Sequence, residues 1–90
     1  MNTFRLVISS PNGHVYDGDA VMLTVRGIAG DLAVMAGHIP FVTTLQPCDC
    51  KIEFDDDSER FGHVDGGLLT VSKDAVTLLT GSFRFTDANP

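Results

Sequence analysis

Alternation with a period of two residues runs through most of this chain and sets its fold class. The clearest stretch places Cys48, Cys50, Ile52 and Phe54 on one side and Asp49, Lys51 and Glu53 on the other. Phe4, Leu6 and Ile8 alternate with Arg5, Val7 and Ser9, and Val21, Leu23 and Val25 with Met22, Thr24 and Arg26. Successive side chains of an extended strand point to opposite faces, so each run reads as a strand with one face inward. No apolar i, i+3, i+4, i+7 stripe lasts for three helical turns. Turn-forming clusters punctuate the runs: Pro11-Asn12-Gly13, Asp17-Gly18-Asp19, Gly27 to Gly30, Asp55 to Ser58, Asp65-Gly66-Gly67 and Ser72-Lys73-Asp74. This spacing predicts an all-β chain, a small antiparallel β-sandwich or flattened barrel of about eight to ten short strands. Residues 48–54 are expected to pair with 60–65, and 68–72 with 76–80. Phe83-Arg84-Phe85 is expected to form a last short strand, so residues 1–85 read as one domain and 86–90 as a polar tail.

Ninety residues make one small domain, near the lower limit for folding without disulfides or metals. At 43% hydrophobic residues the chain has more apolar side chains than so small a domain can hide. The surplus is expected to form either scattered exposures or a patch for a partner. A net charge of −6 with only six basic residues argues against nucleic acid and against docking on anionic lipid. No stretch approaches the ~20 apolar residues of a membrane span. With no signal or transit pattern at its start, the chain is expected to remain cytosolic and to reach a membrane only through another protein.

Residues that could carry chemistry do not assemble into a recognisable motif. Ser9, Ser10, His14, Asp17 and Asp19 lack any nucleophile setting such as Gly-x-Ser-x-Gly, and turn-forming roles explain them. Gly66-Gly67 lacks the Lys and the following helix of a phosphate-binding loop. Asp55-Asp56-Asp57-Ser58-Glu59-Arg60 lacks the Gly and distal Glu of a calcium loop, and reads as a solvated hairpin tip. Cys48 and Cys50 share one strand face, where small buried hydrophobes are the ordinary reading. The expectation is no catalytic residue, no metal, no cofactor and no small-molecule substrate.

Residues 30–43, Gly-Asp-Leu-Ala-Val-Met-Ala-Gly-His-Ile-Pro-Phe-Val-Thr, describe a strand, a sharp corner at Ala36 to Pro40 and a second strand. Gly37 supplies the positive φ of a tight turn, and Pro40 pushes Ile39 toward an extended shape. This stretch resembles the "G-(D/E)-L-…-GH-P" segment in the N-terminal β-sandwich of the epsilon subunit of bacterial F-type ATP synthases. Ser10-Pro11-Asn12-Gly13-His14-Val15-Tyr16-Asp17-Gly18-Asp19-Ala20 is similar to that family's opening. Gly66-Gly67-Leu68-Leu69-Thr70-Val71 followed by Val76-Thr77-Leu78-Leu79 is similar to its later hairpin. All three blocks keep the family's order and spacing over roughly residues 4–80. Ala36 stands where many relatives have Pro.

The resemblance implies a non-catalytic rotor subunit of the central stalk, bridging the gamma subunit and the c-ring so that ion flow couples to ATP synthesis. It implies a c-ring contact at Gly27, Ile28, Ala29, Gly30 and Asp31, and a gamma contact at Ser10, His38, Ile39 and Pro40. It also implies a peripheral position on the cytoplasmic side of a bacterial cell membrane. Most epsilon subunits continue into two C-terminal helices, which in several members restrain hydrolysis or bind ATP, and those roles are not expected of residues 1–90. The residues alone leave Asp31 readable as a solvated turn carboxylate and His38 as a satisfied structural side chain. They leave open a second function as well, a free-standing sandwich that binds a small molecule; the absence of Trp and the single Tyr weigh against a sugar site.

Overall fold

The computed structural model describes residues 2–27 and 30–86. Eight strands account for most of them: β1 Phe4–Ser10, β2 Gly13–Ala20, β3 Met22–Gly27, β4 Gly30–Met35, β5 Phe41–Glu53, β6 Glu59–Val71, β7 Ala75–Thr80 and β8 Phe83–Phe85. No helix occurs among the described residues. The strands follow the order β2-β1-β7-β6-β5-β3-β4, with β8 also paired to β6. Residues 87–90, most of the expected tail, lie outside the described residues.

The long β5–β6 hairpin organises the domain, because its two halves serve different layers. Phe41–Leu45 pairs with Gly67–Val71, which in turn pairs with β7; Pro47–Glu53 pairs with Glu59–Asp65, whose Gly62–Val64 pairs with β8. One layer is therefore β2, β1, β7 and the distal half of the hairpin. The other is β8, the proximal half, β3 and β4. The burial pattern shows where the hairpin passes between them. Along β5 the inward positions are 41, 43 and 45, then 48, 50 and 52. Along β6 they are 62 and 64, then 69 and 71. Each strand inverts its inward face over the same two or three residues, while the pairing register stays constant on both sides. A strand crossing from one sheet of a sandwich to the other needs that inversion to keep facing the core.

Gly66 and Gly67 make the inversion possible, with φ of 79° and 158°. A Cβ on Gly67 would collide with the backbone carbonyl of Leu79. Thr80, the one buried polar side chain among the described residues, fixes the bend: its Oγ1 donates to the Gly66 carbonyl at 2.6 Å and accepts from the Ser82 N–H at 3.3 Å. The sequence-based turn at Asp65-Gly66-Gly67 is thus corrected to a bend inside a strand. Asp17-Gly18-Asp19 is likewise not a turn but part of β2, paired with Arg5–Val7 of β1.

The all-β sandwich expected from the alternation is the fold observed, with one pairing of the other kind. β1 and β7 run parallel, Arg5 opposite Ala75 through Ser9 opposite Leu79. Parallel neighbours require a long crossover, and here everything from β2 to β6 supplies it. Between the layers, Leu6, Ile8, Leu69 and Leu78 meet Leu23, Val34, Ile52 and Val64, all with no exposed surface. Cys48 and Cys50 belong to this core, as small apolar side chains at i and i+2 should.

Candidate functional site

Two surface regions carry the residues singled out from sequence. The first is the β3–β4 hairpin. Gly27 pairs with Gly30 and Arg26 with Asp31, so Gly30 and Asp31 begin β4; Ile28 and Ala29 lie outside the described residues. Asp31 is not a lone turn carboxylate. Its Oδ1 accepts from Arg26 Nε at 3.1 Å across the strand pair, with both side chains more than half exposed. An ion pair this exposed is worth at most about 1 kcal/mol, so Asp31 can exchange Arg26 for an outside cation at little cost.

Beside this pair the β3–β5 pairing slips between Thr24 and Gly27. The slip opens a cleft of about 390 Å³, lined by Arg26, Asp31, Pro47, Cys48, Asp49 and His63 among others. Its polar side chains pair with one another: Asp49 Oδ1 lies 3.0 Å from His63 Nδ1, and both residues line the cleft together with Arg26 and Asp31. The Cys48 thiol donates to the Arg26 carbonyl at 3.6 Å. Burial, reinforced by Cys48, pushes the Cys50 thiol up to about 12, so it is no thiolate at neutral pH. Among the described residues no three His, Cys, Asp or Glu side chains stand together as metal ligands.

The second region lies on the other layer. At the corner after β4, Gly37 takes φ 83°, and His38 is half-buried with its ring 5.1 Å from that of Phe41. Ile39 is 79% exposed, extreme for an apolar side chain, and Pro40 beside it is exposed too. Ser10 ends β1, where its hydroxyl accepts from the Asn12 N–H at 3.3 Å in the β1–β2 turn. The structure does not bring Ser10 and His38 together. Ala36 and Gly37 lie near Asn2 to Phe4 and the Lys73-Asp74 turn, whereas Ser10 lies near Gly67, Leu68 and Gly81. Three strand spacings and about four residues of strand length separate them, roughly 20 Å.

The outer face of this layer spans that distance and was not legible from the motifs. Its cross-strand rows are Val42, Thr70, Thr77 and Val7, then Thr44, Leu68, Leu79 and Ser9. Val42, Leu68 and Leu79 are exposed at 62%, 37% and 47%. No charge appears in either row until β2, where Asp17 is held by two bonds from Arg5 at 2.8 and 2.9 Å and His14 bonds Ser9 at 2.8 Å. The hydrogen bond from Arg5 draws the Asp17 carboxyl below its ordinary range. With Asp17 engaged by Arg5, Ser9 and His14 form a pair and not a triad. Val42, Leu68 and Leu79 thus make these two rows aliphatic, with Arg5 on β1 the nearest outward charge.

The model of the ATP synthase delta/epsilon chain beta-sandwich domain matches residues 3–85. This chain belongs to that family. It is 40% identical over 79 residues to the ATP synthase epsilon chain of Bacillus velezensis, covering 88% of this chain and 59% of that one. It is 31% identical over 87 residues to the epsilon chain of Exiguobacterium sp., covering 97% and 64%. The chain thus spans roughly three-fifths of these relatives' length. Among solved structures, a chain of the Euglena gracilis mitochondrial ATP synthase, in an assembly titled OSCP/F1/c-ring, superposes with a TM-score of 0.90 at 19% identity, covering 98% of this chain and 56% of that one. A chain of the Tetrahymena thermophila central stalk/c-ring assembly gives 0.77 at 15% identity, covering 92% and 66%. At such identities these two likenesses concern the fold alone.

Proposed function

We propose that this domain is a non-catalytic central-stalk subunit of a bacterial F-type ATP synthase, bridging the gamma subunit and the c-ring. The observation that carries the reading is the placement of two dissimilar surfaces on opposite layers of one sandwich. The aliphatic rows around Val42, Leu68 and Leu79, with Ile39 at their margin, suit an apolar contact with gamma. The β3–β4 hairpin offers Asp31 in a loosely held surface pair, suited to basic loops of a c-ring. The epsilon-chain relatives support the same assignment. A rigid domain holding both contacts transmits rotation between its partners and needs no catalytic group, cofactor or small-molecule substrate. No described helix is long and apolar enough to cross a membrane, and the position at the cytoplasmic side of the cell membrane follows from the proposed partners.

Two substitutions separate the contacts. Asp31→Arg sets a cation against the c-ring and leaves gamma binding intact. His38→Asp places a charge in the gamma contact and spares the c-ring. Each variant is captured with purified gamma and, separately, with membranes carrying the c-ring. If both variants lose both partners, or neither loses any, the two-contact assignment is wrong.

A further inference from the structure

Asparagine or aspartate followed by glycine occurs three times, at Asn12-Gly13, Asp17-Gly18 and Asp65-Gly66. In such a pair the glycine nitrogen can close a five-membered ring on the preceding side chain, because no Cβ crowds the attack and the glycine backbone rotates freely. Two of the pairs are locked. Asp17 and Gly18 sit in β2 opposite Val7 and Leu6, and the Asp17 carboxylate holds Arg5 through two bonds of 2.8 and 2.9 Å. Asp65 donates its N–H to the Ser82 carbonyl at 3.0 Å, and the Gly66 carbonyl takes the Thr80 hydroxyl. Asn12-Gly13 is the open one. Both residues are exposed, a Cβ on Gly13 would meet nothing within 4 Å, and the Asn12 carboxamide has no partner among the described residues. The register of β1 and β2 also slips between Ile8, opposite Tyr16, and Ser9, opposite His14, which leaves Val15 unopposed. Only the Ser9–His14 and Ser10–Gly13 pairs lie beyond that bulge, so this end opens without disturbing the rest of the ladder.

We propose that Asn12 is a site of spontaneous covalent modification, converting through a succinimide to aspartate and isoaspartate in the folded protein. Base removes the Gly13 N–H proton, and the nitrogen attacks Asn12 Cγ. A bond forms between that nitrogen and Cγ, and the side-chain nitrogen leaves as ammonia, taking its proton from water. Water then adds to one of the two ring carbonyls. Breaking the new N–Cγ bond gives aspartate at position 12. Breaking the bond from nitrogen to the backbone carbonyl carbon gives isoaspartate, whose chain runs through Cβ and Cγ. One water is consumed and one ammonia released, with no oxidant, cofactor or enzyme. An amide is a better target than a carboxylate, whose charge opposes attack by a nitrogen anion. Either product adds one negative charge to a chain already at −6. Isoaspartate also lengthens by one carbon the two-residue turn between Ser10 and Gly13, beside the groove that Ser9, Ser10, Pro11, Leu68 and Leu79 line. This surface therefore changes with the time elapsed since synthesis.

Incubation of the folded chain at neutral and mildly alkaline pH, followed by tryptic peptide mapping, tests this. The peptide from Leu6 to Arg26 contains Asn12 and no other asparagine, and fragmentation locates the gain in mass. The other two asparagines are internal controls. Asn2 precedes the β-branched Thr3, which crowds ring closure, and Asn89 precedes Pro90, which has no N–H. Asn12 is expected to convert at least about tenfold faster than Asn2, and faster as pH rises, with isoaspartate appearing beside aspartate. An unmodified Asn12, or equal rates at Asn12 and Asn2, overturns the proposal. Ser9→Ala removes the hydroxyl that holds His14 at 2.8 Å. It should speed conversion severalfold with the melting temperature nearly unchanged, and an unchanged rate refutes the opening of this end as the controlling step. Asn12→Gln, which would need a six-membered ring, should abolish the change in the Leu6–Arg26 peptide with the fold intact. A gain in mass that persists there refutes the site. Isoaspartate arising at position 17 or 65 as fast as at 12 in the folded chain refutes the selection by structure.

Discussion

Thr80 and Cys50 show how single side chains are constrained inside this sandwich. Thr80 Oγ1 serves the Gly66 carbonyl and the Ser82 amide together. Thr80→Val keeps the shape but strands that carbonyl, and is expected to cost about 1–3 kcal/mol in urea unfolding. Thr80→Ser, which keeps the hydroxyl, should recover most of it. Cys50 is almost wholly buried, and its thiol is raised from 9.0 to about 12. A group whose folded value lies above its unfolded one stabilises fully below the unfolded value and progressively less as pH rises through the folded one. Stability should therefore decline between pH 9 and about 12, and less steeply in Cys50→Ala. At neutral pH Cys50 should resist iodoacetamide in the folded protein and react once it is unfolded; rapid labelling of the native chain would show that the thiol is not buried as described.

At the scale of elements, the bend in the β5–β6 hairpin decides the architecture. Gly67→Ala drives a methyl into the Leu79 carbonyl and forces a strained φ, so a loss of at least about 2 kcal/mol is expected. Gly81→Ala is the control, since a Cβ there meets nothing within 4 Å; it should leave the thermal melt almost unchanged. Equal effects of the two would show that the close approach at Gly67 is not what limits that position. Asp65-Gly66-Gly67 has the composition of a turn, because positive φ and absent Cβ serve a turn and an in-strand inversion alike. Asp17-Gly18-Asp19 misled for a similar reason. Turn composition records local backbone tolerance, and pairing with β1 made this segment a strand. Where alternation was strict, as at Cys48 to Phe54, strand and inward face were both legible.

For the whole molecule, the exposed aliphatic face predicts a separation between stability and assembly. Leu68→Lys and Leu79→Lys replace side chains already 37% and 47% exposed, so unfolding free energies should move by less than about 0.5 kcal/mol. Binding to gamma should weaken by roughly tenfold or more, since a lysine in that contact is desolvated without a partner. Calorimetric titration of each variant checks this, and unchanged affinity would move the gamma contact off this face. The same comparison made with Phe61→Lys, exposed on the opposite layer, should leave gamma affinity unaltered.

The sequence by itself determined the strand content, both hairpins, the corner at Ala36 to Pro40 and the family, because alternation and turn residues act through neighbours in the chain. It also singled out Asp31 and His38 through their place in motifs. Tertiary structure alone decided that Ser10 and His38 stand at opposite ends of one layer, and that Val42, Leu68 and Leu79 share a face between them. Those relations join β1, β5, β6 and β7 across separations of up to seventy residues along the chain. The parallel β1–β7 pairing and the inversion at Gly66-Gly67 belong with them. Both follow from closing two layers over one core, a requirement that no local stretch of residues encodes.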